Sequence, residues 1–259
     1  MQSTNNNLLK EIGRIHTYEE FLNTYSLARK VGFNNINADL IIGLPKQTIA
    51  DVENSVNELV NLKLEHISVY SLILEEGTML EELVRSGKLK LPEDKEERNM
   101  YWKVKNILEK NGYNHYEISN FAKHGSESKH NLDCWKQKEY VGFGVAAHSY
   151  TNGVRYSNIE NIEEYIKNYE EGKEEDNFVF HEKQTHNMKV KEYMMLGLRK
   201  IEGVCIQEFK EKFAANPIFV FKTELEKLVN EELLEVNGDY IKLTNKGLDL
   251  ANLVWEEFV

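Results

Sequence analysis

Residues 36–45, INADLIIGLP, form a mostly apolar run interrupted by Asp39 and closed by Gly43 and Pro45, the pattern of a buried strand ending in a turn. Helices are expected on both sides. Upstream, Thr17 and Glu20 stand at capping-box spacing, Phe21, Leu22, Tyr25 and Ala28 make an apolar stripe, and Gly32 follows Val31 as a stop. Downstream, Val52, Val56, Leu59 and Val60 stripe a second helix, and HISVYSLIL (66–74) reads as a second strand. Thr78 with Glu81 caps a third helix that Gly87 ends. Pro92 opens a fourth, striped by Met100, Tyr101, Val104, Ile107 and Leu108 and stopped at Asn111-Gly112. Strands separated by such helices imply right-handed crossovers and a parallel sheet. Strands this apolar expect cover on both faces and neighbours on both edges. Only two are clear, so the first half reads as part of a larger α/β barrel or sheet, with the chain beginning inside that domain.

Beyond Gly112 the pattern changes. Residues 113–148 hold His115, His124, His130 and His148, half of the chain's histidines, with Cys134 and Trp135. Strands are expected over YNHYEISNF (113–121) and EYVGFGVAAHSY (139–150). From about Met188, helices are expected in VKEYMMLGLRK, IQEFKEKF and TELEKLVNEELL. A hairpin, LLEVNGDYIKLT, turns at Asn237-Gly238, and a last helix follows Thr244. The expected organisation is therefore 1–112, 113–187 as an α+β region, and 188–259 as a helical, winged-helix-like domain. That fold often binds DNA, but residues 188–259 carry ten Lys/Arg against thirteen Asp/Glu, which favours packing or partner docking.

The 259 residues are 41% hydrophobic, enough for a core, and carry a net charge of −11 with a pI near 5.3. That balance argues against nucleic acid as a partner. No apolar run approaches the roughly 20 residues that span a bilayer, and MQSTNNN lacks a signal-peptide core, so a cytoplasmic setting is expected, with peripheral membrane contact left open. Cys134 and Cys205 are the only thiols. They give no disulfide framework and cannot supply the thiolate set of an iron–sulfur cluster.

Several constellations could carry chemistry. Asp39, placed late in its strand, could accept hydrogen bonds from the vicinal hydroxyls of a ribose, or could bond a neighbouring backbone group or Arg14. Gln2 and Arg14, with Asn5, Asn6 and Asn7 between them, suit a carboxylate or a nucleotide, or belong to a frayed terminus. His130 and Cys134 share a face if helical, beside Trp135. Imidazole and thiolate both ligate heme iron and an indole can stack on a macrocycle, while a surface histidine next to a buried cysteine is the alternative. Gly142 and Gly144 bracket Phe143 and precede His148, which fits close backbone approach to a ligand or to another strand.

In order, QSTNNNLLKEIGRIHT, NADLIIGLPKQT, ISVYSLILEEGT, GYNHYEISNFAKHG, KHNLDCW and YVGFGVAAHSY resemble the oxygen-independent coproporphyrinogen III oxidase group of radical S-adenosylmethionine (SAM) proteins, and within it the HemW-like branch of heme chaperones. The resemblance implies the C-terminal part of a (β/α)6 partial barrel, an α+β region and a helical C-terminal domain. It implies SAM, and a [4Fe-4S] cluster held by a CxxxCxxC loop that would lie before Met1. Gln2, Arg14 and Asp39 match positions that contact SAM. His130, Asn131 and Trp135 match the branch's HNxxYW heme motif, with Cys134 in place of the tyrosine as a second ligand or as filler. His148 falls where the family folds over the SAM pocket. The function implied is heme binding and transfer to hemoproteins, with this chain lacking the cluster loop and not active alone as an enzyme; the alternative is an oxygen-independent coproporphyrinogen III dehydrogenase of porphyrin biosynthesis.

Overall fold

The computed structural model describes residues 1–259. They divide into two compact units, Met1–Glu127 and Ser128–Val259.

In the first unit, helices α1 (Asn6–Glu11) and α2 (Tyr18–Lys30) precede strand β1 (Asn37–Ile42). Then follow α3 (Ile49–Asn61), β2 (His66–Ser71), α4 (Met79–Arg85), α5 (Asp94–Lys110), β3 (Asn114–Glu117) and β4 (Asn120–Ala122). The caps fall where local chemistry dictates. Thr17 and Glu20 close a capping box at α2, and Thr48 with Asp51 does so at α3. Gly32, at φ +101°, takes the left-handed turn after α2.

The sheet order is β1-β2-β4-β3. β1 and β2 are parallel, Asn37 opposite His66 through Ile42 opposite Ser71, and β4 runs antiparallel to both β2 and β3. The segment 113–121 is thus a hairpin, not the single strand expected. Its turn at Ile118-Ser119 carries no Gly or Pro, so composition did not mark it. The hairpin also gives β2 a neighbour on its second edge. Alternation along the pleat sends Ala38, Leu40 and Ile42, with Ile67, Val69 and Phe121, to one face, where they join Val52, Val56 and Leu59 of α3 and Val104 and Leu108 of α5 in one core. Most of these are completely buried. The opposite face of β1 and β2 carries Asn37 and Asp39, His66 and Ser68.

The second unit starts with α6 (Lys129–Trp135). A three-stranded antiparallel sheet of β5 (His148–Thr151), β6 (Val154–Asn158) and β7 (Phe178–Lys183) follows, with α7 (Ile162–Glu170) between β6 and β7. Only the end of the segment 139–150 is therefore a strand. Before His148 the chain turns through a loop in which Gly142 leaves room for the His148 carbonyl, and Tyr140 meets Tyr150 in a single bridge.

The remaining order is α8 (His186–Gly197), β8 (Val204–Cys205), α9 (Ile206–Phe213), α10 (Pro217–Val220), α11 (Lys222–Asn230), β9 (Leu234–Asn237), β10 (Tyr240–Leu243), α12 (Asn245–Asp249) and α13 (Ala251–Glu256). β8 pairs with β10, and β10 with β9. Helix, strand, helices and hairpin in this order make a winged-helix arrangement. The hairpin turn is Gly238-Asp239, one residue later than the Asn-Gly pair indicated, because Asn237 pairs with Tyr240 and Gly238 takes the positive φ. Gly203 is required where β8 meets β10: a Cβ there would strike the Ile241 carbonyl.

His115 sits in the first core, stacked 4.3 Å from the ring of Phe121, and burial pushes its pKa down to about 4 from 6.5. Between those values the unfolded chain takes up a proton that the folded chain refuses. Its contribution is complete above pH 6.5 and is lost as pH falls toward 4, a change of order 3 kcal/mol. Urea titrations across this range should show that decline, and His115→Phe should flatten it. An unchanged slope in the variant would contradict the burial of a neutral imidazole.

Candidate functional site

In the first unit, residues 1–3 run beside β1, where the Gln2 carbonyl accepts from the Ile41 N–H at 3.0 Å. The Gln2 side-chain oxygen is buried with no partner, so it is available to a ligand's donor. Burial pushes the Met1 amine below its ordinary pKa, while the charge of Asp39 opposes that shift and Arg14 adds to it. Both charges therefore act on the Met1 amine. Arg14 is exposed just past α1. The intervening asparagines have structural roles: Asn5 caps α1 and donates to Asp51 at 2.9 Å, and the Asn6 oxygen accepts from the Tyr18 N–H at 2.8 Å. The terminus is held, not frayed.

Asp39 is the third residue of β1, not a residue at its C-terminal end as the sequence indicated; the strand starts only at Asn37. Its carboxylate accepts from the Asn37 amide at 2.8 Å, not from Arg14. Around it lie groups that sequence reading missed. The His66 Nδ1 is 2.7 Å from the Asn37 oxygen, its Nε2 is 2.7 Å from the Tyr116 hydroxyl, and the Ser68 hydroxyl donates to the Asn37 oxygen at 3.2 Å. On the same sheet, the buried Glu117 accepts from the Asn120 amide and from the Ser119 N–H. The available signal was the alternation of His66 and Ser68 with Ile67 and Val69, masked by reading the whole segment as apolar.

In the second unit, KHNLDCW is the whole of α6, capped by Ser128, whose hydroxyl accepts from the Asn131 N–H. His130 is exposed, and its Nε2 lies 3.8 Å from the Cys134 sulfur, as expected for residues one turn apart. Burial first, and the Asp133 carboxylate second, push the Cys134 thiol up. That disfavours the thiolate in the metal-free chain. One face of the Trp135 indole is covered: the Arg199 guanidinium lies over it at 4.5 Å and over Trp255 at 4.4 Å. Arg199 and Trp255 come from the C-terminal region, which no spacing rule ties to α6. His148, at the exposed start of β5, stacks on His181 at 5.2 Å, and His181 Nε2 meets the Ser157 hydroxyl at 2.9 Å. No group of three or more His, Cys, Asp or Glu side chains converges as a metal site, and no helix is long and apolar enough to cross a membrane.

In a Cys205→Ser background, Cys134 should be alkylated by iodoacetamide at neutral pH more slowly than a free thiol, and Asp133→Asn should speed it. A rate equal to that of a free thiol would contradict the raised thiol pKa.

Comparison with known proteins agrees with this architecture. Residues 1–59 match the radical SAM superfamily model and residues 184–250 the HemN C-terminal domain model. The solved coproporphyrinogen III oxidase of Escherichia coli superposes with a TM-score of 0.79 at 19% identity, over 100% of this chain and 62% of that one. This likeness shows the fold: the C-terminal part of a radical SAM partial barrel, an α+β region and a helical C-terminal domain. The heme chaperone HemW of Lactococcus lactis is 40% identical over the whole chain, which covers 67% of that protein, and that of Bacillus subtilis is 38% identical with 68% covered. The chain spans about two thirds of the length of these relatives, and at that identity along its whole length it belongs to the HemW family of heme chaperones.

Proposed function

We propose that this chain takes heme as cargo on α6 and releases it to hemoproteins, with His130 as the iron ligand. The observation that carries the reading is the exposed imidazole of His130 on a short, Ser128-capped helix whose far end is anchored by Trp135. An exposed imidazole offers a lone pair to iron without burying the cargo, which suits delivery better than storage. Cys134 keeps its proton and fills the neighbouring position. Trp135 acts by holding α6 against Arg199, not by stacking on the macrocycle. Transfer within the cytoplasm to soluble or membrane-attached hemoproteins is part of the reading.

In the first unit, Gln2, Arg14 and Asp39 form the wall that would hold SAM: the orphaned Gln2 oxygen accepts a ligand donor, Arg14 meets a carboxylate, and Asp39 takes the ribose hydroxyls. SAM bound to a reduced cluster supplies radical chemistry in proteins of this superfamily. The two thiols of this chain do not fit a [4Fe-4S] cluster. His148 belongs to the histidine pair with His181.

Hemin titration followed at the Soret band tests the heme assignment. The unaltered chain should show a red shift that His130→Ala abolishes, that Cys134→Ser retains, and that Trp135→Leu weakens. Equal shifts in the unaltered chain and in His130→Ala would overturn the assignment, and loss in Cys134→Ser would move ligation to the thiol.

A further inference from the structure

On the sheet face that the helices leave uncovered, four side chains form one line of hydrogen bonds whose donor directions are fixed by chemistry. The Asp39 carboxylate only accepts, so Asn37 must offer it the amide nitrogen, 2.8 Å from Oδ1. The Asn37 oxygen then faces β2, where Ser68 Oγ donates at 3.2 Å and the His66 Nδ1 lies at 2.7 Å. An acceptor there requires the His66 proton on Nδ1. Nε2 is left unprotonated and accepts from the Tyr116 hydroxyl at 2.7 Å. The line therefore runs Tyr116 to His66 to Asn37 to Asp39, every proton pointing toward the carboxylate. His66 is only 6% exposed, and burial lowers its pKa against the opposing pull of Asp39, which favours the neutral ring that this line needs.

The torsion that sets the plane of an Asp carboxylate has a broad, shallow well, so an isolated Asp39 would present its oxygens over a wide arc. The Asn37 amide removes that freedom. One site on Oδ1 is taken, and the remaining acceptor sites on Oδ1 and Oδ2 are held in one plane, as two adjacent hydroxyls require. We infer that Asn37, His66 and Tyr116 are positioning residues that orient Asp39 toward a vicinal diol of an adenosyl ligand. The inference rests on the reading of Asp39 as the ribose-binding carboxylate.

Binding of S-adenosylhomocysteine and of its 2′-deoxyribose analogue, measured calorimetrically, separates the two claims. The unaltered chain should prefer the intact diol by about 10-fold or more, the scale of a hydrogen bond to a charged group. Asp39→Ala should bring the ratio near one. Asn37→Ala should cut it several-fold, weakening the intact ligand more than the deoxy analogue, and Tyr116→Phe should act in the same direction more weakly. A purely structural role would weaken both ligands together. An undiminished ratio in Asn37→Ala, with loss in Asp39→Ala, would overturn the positioning role alone. No preference in the unaltered chain, or an undiminished ratio in Asp39→Ala, would overturn the ribose reading and the inference with it. Nitrogen-15 NMR of the unaltered chain is independent of folding in the variants: His66 should be neutral with its proton on Nδ1, and a proton on Nε2 alone would overturn the inference.

Discussion

The parallel pairing of Asn37–Ile42 with His66–Ser71 is the constraint on which the first unit depends. Partners in a parallel pair point to the same face, so the register decides two things together. It delivers Ala38, Leu40, Ile67 and Val69 to α3 and α5, and it gathers Asn37, Asp39, His66 and Ser68 opposite them. A slip of one residue would bury the carboxylate among leucines and expose the core. The apolar side therefore specifies the polar side: burial of apolar area enforces a register that alone puts the Asn37 oxygen within reach of His66.

What was legible in the sequence was local. The capping box at Thr17, the N-cap at Thr78, the stripe Met100-Tyr101-Val104-Leu108 and the breaks at Gly32 and Asn111-Gly112 are short-range devices, and the helices fall where they indicate. The hairpin of β3 and β4 was not legible, because its turn lacks the usual turn residues and its strands are short. Nor was β7, whose exposed aromatics Phe178 and Phe180 break the inside–outside pattern that reveals a strand. Of the candidate site, Asp39, His130, Cys134 and Trp135 stood out by residue type and spacing. Their partners did not, since His66, Tyr116 and Arg199 join them only through tertiary contact. Sequence reading could name the indole of Trp135 but not the cation that covers it.

In the second unit, Arg199 ties α6 to the C-terminal helix by lying between two indoles. Such a contact draws on both ring faces and on the stem of the arginine side chain, and water screens it less than an exposed ion pair. The short helix carrying His130 is thereby fixed at its C-terminal end, while Ser128 fixes its start. A helix of seven residues would fray by itself; held at both ends, it keeps an imidazole in a constant direction while leaving it in solvent.

That sandwich has an optical consequence. Of the three tryptophans, Trp135 and Trp255 share one guanidinium, and Trp135 is the covalent neighbour of Cys134 and one turn from Asn131. Two of the chain's three indoles therefore meet at the guanidinium that holds the helix carrying His130. Displacing that guanidinium changes the surroundings of both rings at once, so their emission reports on the contact that anchors α6.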